Sequence, residues 1–127
     1  MRLLLDTQIF LWCLDQTARI PPRARAAIEA IDNDILVSAV VIWEIAIKAS
    51  AGRLDIPTAD LRRLPQLIEA MGFDELSVLA KHAAGVYALP WHHRDPFDRL
   101  MIAQARDESL TLITVDPAIR RYDVPIL

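Results

Sequence analysis

Short apolar runs that alternate with helical stretches constrain the fold of this 127-residue chain more than any other feature. Runs at residues 2–5, 35–37 and 110–115 predict buried strands, residues 74–78 predict a weaker strand, and residues 124–127 predict an edge strand. Helical spacing or helix-start signals cover residues 7–14, 22–31, 39–51, 58–71, 81–89 and the segment beginning at 96. Because strands separated by helices of about ten residues need crossover connections, we expect an α/β fold, a short parallel sheet sandwiched between helices.

Particular residues mark where the predicted helices begin and end. Ser38 and Asp95 are residue types that favour the N-cap position of a helix. Gly52 follows a predicted helix, where a left-handed residue is favoured, whereas Pro65 should break the helix that contains it. Because no repeat, linker or low-complexity tract interrupts this pattern, residues 1–127 are expected to form one domain.

The composition excludes several classes of protein. Hydrophobic residues make up 54% of the chain, enough for a core without disulfides, and the net charge of −3 gives no overall field that attracts nucleic acid. Apolar runs such as residues 39–43 are far short of the ~20 residues that cross a bilayer. Asp6 also interrupts the first apolar stretch, so we predict no signal peptide, no membrane association and a cytoplasmic protein.

The counts of glycine, cysteine and histidine narrow the chemistry further. With only three glycines, the chain has no glycine-rich loop of the kind that cradles phosphate. Its single cysteine, Cys13, is expected to pack against apolar neighbours, and three histidines without further cysteines argue against a zinc enzyme. Any chemistry must therefore come from other side chains.

Two aspartates directly follow predicted strands. Asp6 comes after the first apolar run and Asp116 after the last long one. Carboxyl ends of parallel strands form the functional crevice of open α/β sheets, so both carboxylates are candidates for a site there. The structural alternative for each is an aspartate in a turn or at a helix N-cap.

Glu44 lies in a predicted helix that is apolar almost all the way round. Burial of a carboxylate there costs several kcal/mol unless the charge is paired or bound to a metal. Lys48, one turn further on, offers a salt bridge as the structural explanation. Since an exposed pair of this kind contributes only ~0.3–0.5 kcal/mol, we favour a functional role for Glu44.

Asp98 falls in the first turn of the helix that Asp95 caps. A carboxylate at this position interacts favourably with free backbone N–H groups and the helix dipole, which is its structural explanation. On a helical wheel, however, Asp98 lies in the apolar arc beside Ile102 and Ala105, whereas Arg99 and Arg106 occupy another face. The helix pattern therefore predicts that Asp98 points inward.

Together these four acids predict a metal site. Four carboxylates within a few ångströms repel one another, and a hard divalent cation with oxygen ligands, Mg²⁺ or Mn²⁺, resolves the repulsion. Such a site is typical of phosphodiester hydrolysis by a metal-activated water. Without these four charges the remaining surface is slightly positive, which is compatible with RNA.

The same residues fall in four segments through which the sequence resembles the PIN-domain ribonucleases, and among them the VapC-type toxins of bacterial toxin–antitoxin pairs. The matching segments are residues 4–7 (LLDT), 38–48 (SAVVIWEIAIK), 93–105 (HRDPFDRLMIAQA) and 114–116 (TVD). Their order and spacing cover essentially the whole chain, and as a set they are specific.

The resemblance implies a PIN fold, a Mg²⁺-dependent endoribonuclease acting on RNA, a homodimer and a cognate antitoxin with which the toxin forms a hetero-oligomer. It implies that Asp6, Glu44, Asp98 and Asp116 are the catalytic metal ligands and that Thr7 and Thr114 orient acids or waters. Some members have a further acid two residues after the last of the four, where this chain has Ala118. Asp95 could substitute, although its expected role is the N-cap.

Two other functions stay open at this stage. A non-catalytic interaction module of the same fold would fail to bind Mn²⁺. A phospho-accepting receiver domain would need an early acidic pair and a lysine after a late strand, whereas Lys48 and Lys81 lie in predicted helices.

Among the remaining residues, Trp12 and Trp43 are expected in the core, and only Trp91 is expected in a position to stack on bases. His82 is expected on a helix surface, and His92 and His93 in a solvated loop.

Overall fold

The computed structural model describes every residue except Pro57 and Ala59. Within the described residues, four parallel strands form one sheet in the order β3-β2-β1-β4. The strands are β1 (Arg2–Leu5), β2 (Asp34–Ser38), β3 (Asp74–Leu76) and β4 (Thr111–Ile113). In the described part of the chain, six α-helices flank the sheet: α1 (Thr7–Asp15), α2 (Pro22–Glu29), α3 (Ala39–Ser50), α4 (Leu64–Ala70), α5 (Ala80–Gly85) and α6 (Pro96–Asp107). The predicted α/β class with a short parallel sheet is confirmed.

The strand order creates a topological switch beside β1. From β1 the chain adds β2 and then β3 on one side, and β4 later pairs with the other side of β1. Leu4 pairs with Leu36 of β2 and with Leu112 of β4. In open α/β sheets the crevice at such a switch lies outside the carboxyl ends of the two strands. Asp6 leaves β1 at that edge, and Thr114 follows the end of β4 there.

The core consists of strands β1, β2 and β4 and the apolar faces of the helices. Leu3, Leu4 and Leu5 are completely buried, as a strand with neighbours on both sides and helices against the sheet requires. The predicted packing of Cys13 is confirmed, because the side chain is partly buried against the core. Burial raises the pKa of the Cys13 thiol to about 11, so the thiol stays protonated.

The predicted helix boundaries are confirmed where local chemistry determines them. Ser38 caps α3 by accepting a hydrogen bond from the Val40 N–H at 3.1 Å. Asp95 caps α6 by accepting from the Phe97 and Asp98 N–H groups at 2.9 and 3.0 Å. Gly52 has a φ of 71° just beyond α3, a conformation that a residue with a Cβ rarely adopts.

Other predicted ranges are longer than the observed elements. Helix α2 ends at Glu29, since the Asn33 side chain donates to the Ala27 carbonyl and turns the chain, and Ile31 is 97% exposed. The helix predicted over residues 58–71 begins only at Leu64, after a 3-10 turn over Leu61–Arg63. Pro65 therefore lies in a first turn, where no backbone N–H is needed, and does not break the helix. Ala59 of that range lies outside the described residues.

The strands at both edges of the sheet are also shorter than the sequence predicts. The predicted runs at 74–78 and 110–115 form strands of three residues each, β3 and β4. The expected edge strand at 124–127 is a single bridge between Leu112 and Ile126. Hydrophobic patterning extends beyond the residues that find a partner, because strand pairing depends on neighbours distant in sequence. No helix within the described part of the chain is long and apolar enough to cross a membrane.

Candidate functional site

A cleft of about 340 Å³ opens at the carboxyl edge of the sheet, beside the switch between β1 and β4. We call it the acidic cleft, because all four predicted acids line it: Asp6, Glu44, Asp98 and Asp116. Thr7, Gln8, Lys48 and Asp95 complete its polar wall, and the apolar wall consists of Leu11, Leu54, Val115 and Ile119. The fold thus brings together side chains from four separate segments of the chain.

Asp6 lies at the junction of β1 and α1 and is 4% exposed. One carboxylate oxygen, Oδ1, caps α1 by accepting from the Ile9 N–H at 2.8 Å, and the other accepts from the Thr114 hydroxyl. Burial raises the pKa of Asp6 to about 6, against the hydrogen bonds from Thr114 and Ile9, which lower it. The charges of Asp116 and Glu44 raise it as well. The N-cap alternative is therefore present, but it does not account for the crowding of negative charge.

Glu44 projects from the middle of α3 and is 5% exposed. The Thr7 hydroxyl donates to Oε1 at 2.6 Å, and the Lys48 ammonium donates to Oε2 at 2.5 Å. The salt bridge considered as the structural explanation is thus formed. One lysine does not neutralise the cleft, because the charge of Glu44 still raises the pKa values of Asp6 and Asp98.

Asp98 lies in the first turn of α6, and its side chain is 16% exposed. The carboxylate hydrogen-bonds to His93 Nε2 at 3.0 Å and lines the acidic cleft, as the helical wheel predicted. Burial raises the pKa of Asp98 to about 6, the hydrogen bond from His93 lowers it, and the charges of Asp95 and Glu44 raise it again. Glu44 is therefore electrostatically coupled to acids on both sides.

Asp116 follows β4 after two intervening residues and is half-buried. Its own N–H donates to the Thr114 hydroxyl at 3.0 Å, and Oδ1 accepts from the Ala118 N–H at 2.9 Å. The turn role considered for Asp116 is thus real. The Thr114 hydroxyl joins the two strand-end acids, because it donates to Asp6 and accepts from the Asp116 backbone.

The donor set of the acidic cleft fits a hard divalent cation. Its potential ligands are carboxylate oxygens. Among the described residues that line the cleft, Lys48 is the one lysine or arginine. Five lining residues have carboxylates: Asp6, Glu44, Asp95, Asp98 and Asp116. Burial is the main cause of the raised pKa values of Asp6 and Asp98, and the charges of neighbouring carboxylates add to it, so a bound cation would stabilise both groups in their ionised form. Oxygen-only ligands favour Mg²⁺ or Mn²⁺ over zinc.

A second group of potential ligands lies away from this cleft. His82, Asp107 and Glu108 have ligand atoms within 4.8 Å of one another, so their spacing could hold a metal ion. Lys81 already supplies a cation there, with Nζ at 2.9 Å from Asp107 and 3.3 Å from Glu108. We call these four residues the His82 cluster. His82 is 1% exposed, so its predicted place on a helix surface is wrong.

Several side chains around the acidic cleft lie where the sequence did not predict them. His93, expected in a solvated loop, is half-buried and bonded to both Asp98 and Tyr122. Trp43, expected in the core, is 56% exposed and packs edge-to-face on Phe97 at a centroid distance of 5.1 Å. Trp12 is half-buried, and Trp91 is 76% exposed, as expected for a loop residue. A histidine just before a helix carries no sequence signal for such contacts, since the phenol it meets is 29 residues away.

The chain belongs to the PIN domain family, whose model matches residues 3–125. It is similar to Ribonuclease VapC22 of Mycobacterium tuberculosis, with 31% identity over 123 residues that make up 96% of this chain and 92% of that protein. Family membership also excludes the receiver-domain alternative.

Solved structures share the fold at lower sequence identity. A chain of VapBC2 from Rickettsia felis, bound to a DNA fragment from their promoter, superposes with a TM-score of 0.72 at 17% identity and covers 100% of this chain and 98% of that one. A chain of FitAcB from Neisseria gonorrhoeae superposes with a TM-score of 0.61 at 22% identity, covering 98% and 96% of the two chains. At these identities the likeness supports the fold alone.

Proposed function

We propose that this single domain, residues 1–127, is a metal-dependent endoribonuclease that acts as the toxin of a toxin–antitoxin pair. One observation carries the proposal. Four carboxylates from separate segments line one cleft, in a chain that is 31% identical to a ribonuclease over nearly its whole length. The substrate class is RNA, whose phosphodiester the site would hydrolyse in the cytoplasm.

Asp6, Glu44, Asp98 and Asp116 would hold the cation, Mg²⁺ with Mn²⁺ as a substitute. When bound, the cation would supply Lewis acidity at the phosphate and a water of lowered pKa. Asp95 caps α6 through its Oδ1 and is not among the four acids that the resemblance implies, so it is not assigned as a ligand.

The two threonines assigned from the resemblance have contacts that suit an orienting role. Thr7 holds Glu44 by a hydrogen bond of 2.6 Å, and Thr114 connects Asp6 with the Asp116 backbone. Each hydroxyl restricts the rotamer of the acid it meets, and this reduces the entropy lost when the carboxylates converge on one cation. Lys48 acts differently, because its ammonium partly offsets the charge of Glu44 before any cation binds.

We also propose that the partner is a small antitoxin and that the toxin forms a homodimer. The carboxylate cluster favours a basic side chain as the blocking group, most simply an arginine that makes bidentate, charge-assisted bonds. An apolar helix of the antitoxin would cover hydrophobic surface beside the cleft, such as the exposed Trp43. The fold neighbours VapBC2 and FitAcB support these partners only indirectly, because their sequence identities to this chain are 17% and 22%.

The decisive test is RNA hydrolysis by the purified chain. We expect cleavage of single-stranded or loop RNA with Mg²⁺ or Mn²⁺ and none in excess EDTA, because the lining carboxylates would act through a cation that lowers the pKa of its bound water. Undiminished cleavage in EDTA would refute the mechanism. A chain that neither cleaves RNA nor binds Mn²⁺ would instead be the non-catalytic PIN-fold module.

A growth assay tests the toxin assignment separately. Expression of this chain alone should slow growth, and co-expression of the small open reading frame adjacent to its gene should restore growth and yield a stable complex. The Asp6→Asn variant is the control for dependence on the acidic cleft. If high-level expression is harmless and indistinguishable from Asp6→Asn, the toxin assignment fails even though the fold is correct.

A further inference from the structure

We infer that Arg99, Tyr122 and His93 form a one-directional hydrogen-bond relay that positions the Asp98 carboxylate; this role rests on the proposed function. Arg99 Nη1 lies 2.9 Å from the Tyr122 hydroxyl, which lies 2.8 Å from His93 Nδ1. His93 Nε2 then lies 3.0 Å from Asp98 Oδ2. The four side chains thus connect a buried guanidinium to an acid of the cleft.

The chemistry at the two ends determines the direction of every bond in the relay. A guanidinium can only donate, so the Tyr122 oxygen accepts from Arg99, and it also accepts from the His93 backbone N–H at 3.3 Å. The phenol proton then has His93 Nδ1 at 2.8 Å and the His93 carbonyl at 3.4 Å as acceptors, and the shorter contact is the better bond. With Nδ1 accepting, the ring proton of neutral His93 is on Nε2 and is donated to Asp98.

Arg99 is an unusual anchor for such a relay, because it is 2% exposed and forms no salt bridge with any described residue. Its guanidinium instead donates to the carbonyls of Pro90 at 2.7 Å and Leu89 at 3.3 Å, and it stacks on Trp91 at 4.0 Å. These contacts hold the loop that leads to His93. Burying an unpaired cation is costly, so satisfying it with carbonyls and a phenol requires this loop conformation.

The contact of His93 with Asp98 differs from the contact of Lys48 with Glu44. Lys48 brings an ammonium to its acid, whereas His93 meets its acid through one ring nitrogen while the other ring nitrogen meets the Tyr122 hydroxyl. This single contact to Oδ2 restrains the rotamer of the Asp98 carboxylate. Such partners of metal-binding carboxylates typically change metal affinity or activity by 10–100-fold when they are removed. His93, Tyr122 and Arg99 are therefore positioning residues.

The first test reads the tautomer of His93 directly. In the metal-free chain labelled with ¹⁵N-histidine, NMR at about pH 8 should show His93 protonated on Nε2 with Nδ1 accepting a hydrogen bond. The Tyr122→Phe variant, which loses the hydroxyl that donates to Nδ1, should shift the Nδ1 resonance of His93, whereas the proton on Nε2 stays on Asp98's side of the ring. Tyr87→Phe is the matched control, since Tyr87 is 97% exposed, and His82 is an internal reference whose signals should not move.

The second test measures the consequence for the cleft. By calorimetry, His93→Ala should weaken Mn²⁺ binding by about 10-fold or more, and His93→Gln, which keeps an N–H donor, should recover part of the loss. Tyr122→Phe should show a smaller loss than His93→Ala, and Tyr87→Phe none.

These measurements separate the relay from the proposed function, because neither needs RNA. An Nδ1 resonance and a Mn²⁺ affinity that both stay at their wild-type values in Tyr122→Phe would overturn the relay even if the chain cleaves RNA. The predicted change at Nδ1 and the affinity losses in a chain that cleaves no RNA would uphold the relay and reject the nuclease.

Discussion

The acidic cleft and the His82 cluster both gather carboxylates, yet the pKa of Glu108 in the cluster is lowered whereas the pKa values of Asp6 and Asp98 in the cleft are raised. In the His82 cluster, hydrogen bonds from His82 and Lys81 lower the pKa of Glu108. In the acidic cleft, burial and neighbouring carboxylates raise the pKa values of Asp6 and Asp98 to about 6. The first cluster contains its own cation, and the second has more negative charge than the chain neutralises.

This difference indicates which cluster is suited to take a cation from solution. His82 Nδ1 accepts from the Leu79 N–H at 3.0 Å, so the ring proton of the neutral histidine is on Nε2 and is donated to Glu108 at 2.8 Å. A metal there would have to displace that proton and compete with the Lys81 ammonium. In the acidic cleft a cation would relieve the repulsion between the carboxylates and would offset the cost of burying their charges.

The largest effect that tests this contrast is on catalysis. Asp98→Asn keeps the size of the side chain and removes its charge, so we expect RNA cleavage to fall by about 10³-fold or more, because several kcal/mol of metal-based stabilisation are lost. The helix should persist by circular dichroism, since Asp95 still caps it. Glu108→Gln is the matched control and should retain cleavage. Wild-type turnover in Asp98→Asn would leave that acid with only a helix-terminus role.

Metal-dependent stabilisation should distinguish the two clusters without any substrate. At Mn²⁺ about 100 times above its dissociation constant, the free energy of unfolding should increase by about 2.7 kcal/mol. Glu44→Gln should lose most of this gain, whereas Asp107→Asn should keep it, as followed by thermal unfolding with and without Mn²⁺. The reverse result would locate the metal in the His82 cluster.

The stability of the metal-free protein should depend on pH through the same contrast. A folded pKa of about 6 exceeds the ordinary value, so folded Asp6 binds its proton more tightly and the unfolding free energy decreases as pH rises from about 4 to 6. Asp6→Asn removes this cost and should be more stable than wild type at pH 7, by roughly 2 kcal/mol, with no advantage near pH 4.

Glu108 provides the matched control of opposite sign. Because its pKa is lowered in the folded state, its contribution to stability is present above the ordinary glutamate pKa and is lost as pH falls through the lowered value. Glu108→Gln should therefore cost some stability at pH 7 and less at low pH, as measured by urea unfolding over the same pH range. Parallel profiles for Asp6→Asn and Glu108→Gln would contradict the proposed difference between the clusters.

The sequence could predict the fold and the convergence of the four acids because each signal is local. Asp6 and Asp116 follow strands, and Glu44 interrupts an apolar helix, so neighbouring residues reveal them. The buried surroundings of His82 and His93 could not be predicted, because their partners Glu108 and Tyr122 lie 26 and 29 residues away. Trp43 was predicted in the core since its helix is apolar all round, and only the packing of α3 decides which apolar residue stays exposed.

The smallest expected effect concerns Asp116, whose structural role and site role coincide. Asn at this position keeps an oxygen that can accept from the Ala118 N–H, so the turn after β4 should remain intact. Removing the charge also removes one source of repulsion on Asp6, because the charge of Asp116 raises the pKa of Asp6. The melting temperature of metal-free Asp116→Asn should therefore equal or slightly exceed that of wild type, while Mn²⁺ affinity decreases. A marked loss of stability with unchanged Mn²⁺ affinity would make Asp116 a turn residue and reduce the proposed ligand set to three acids.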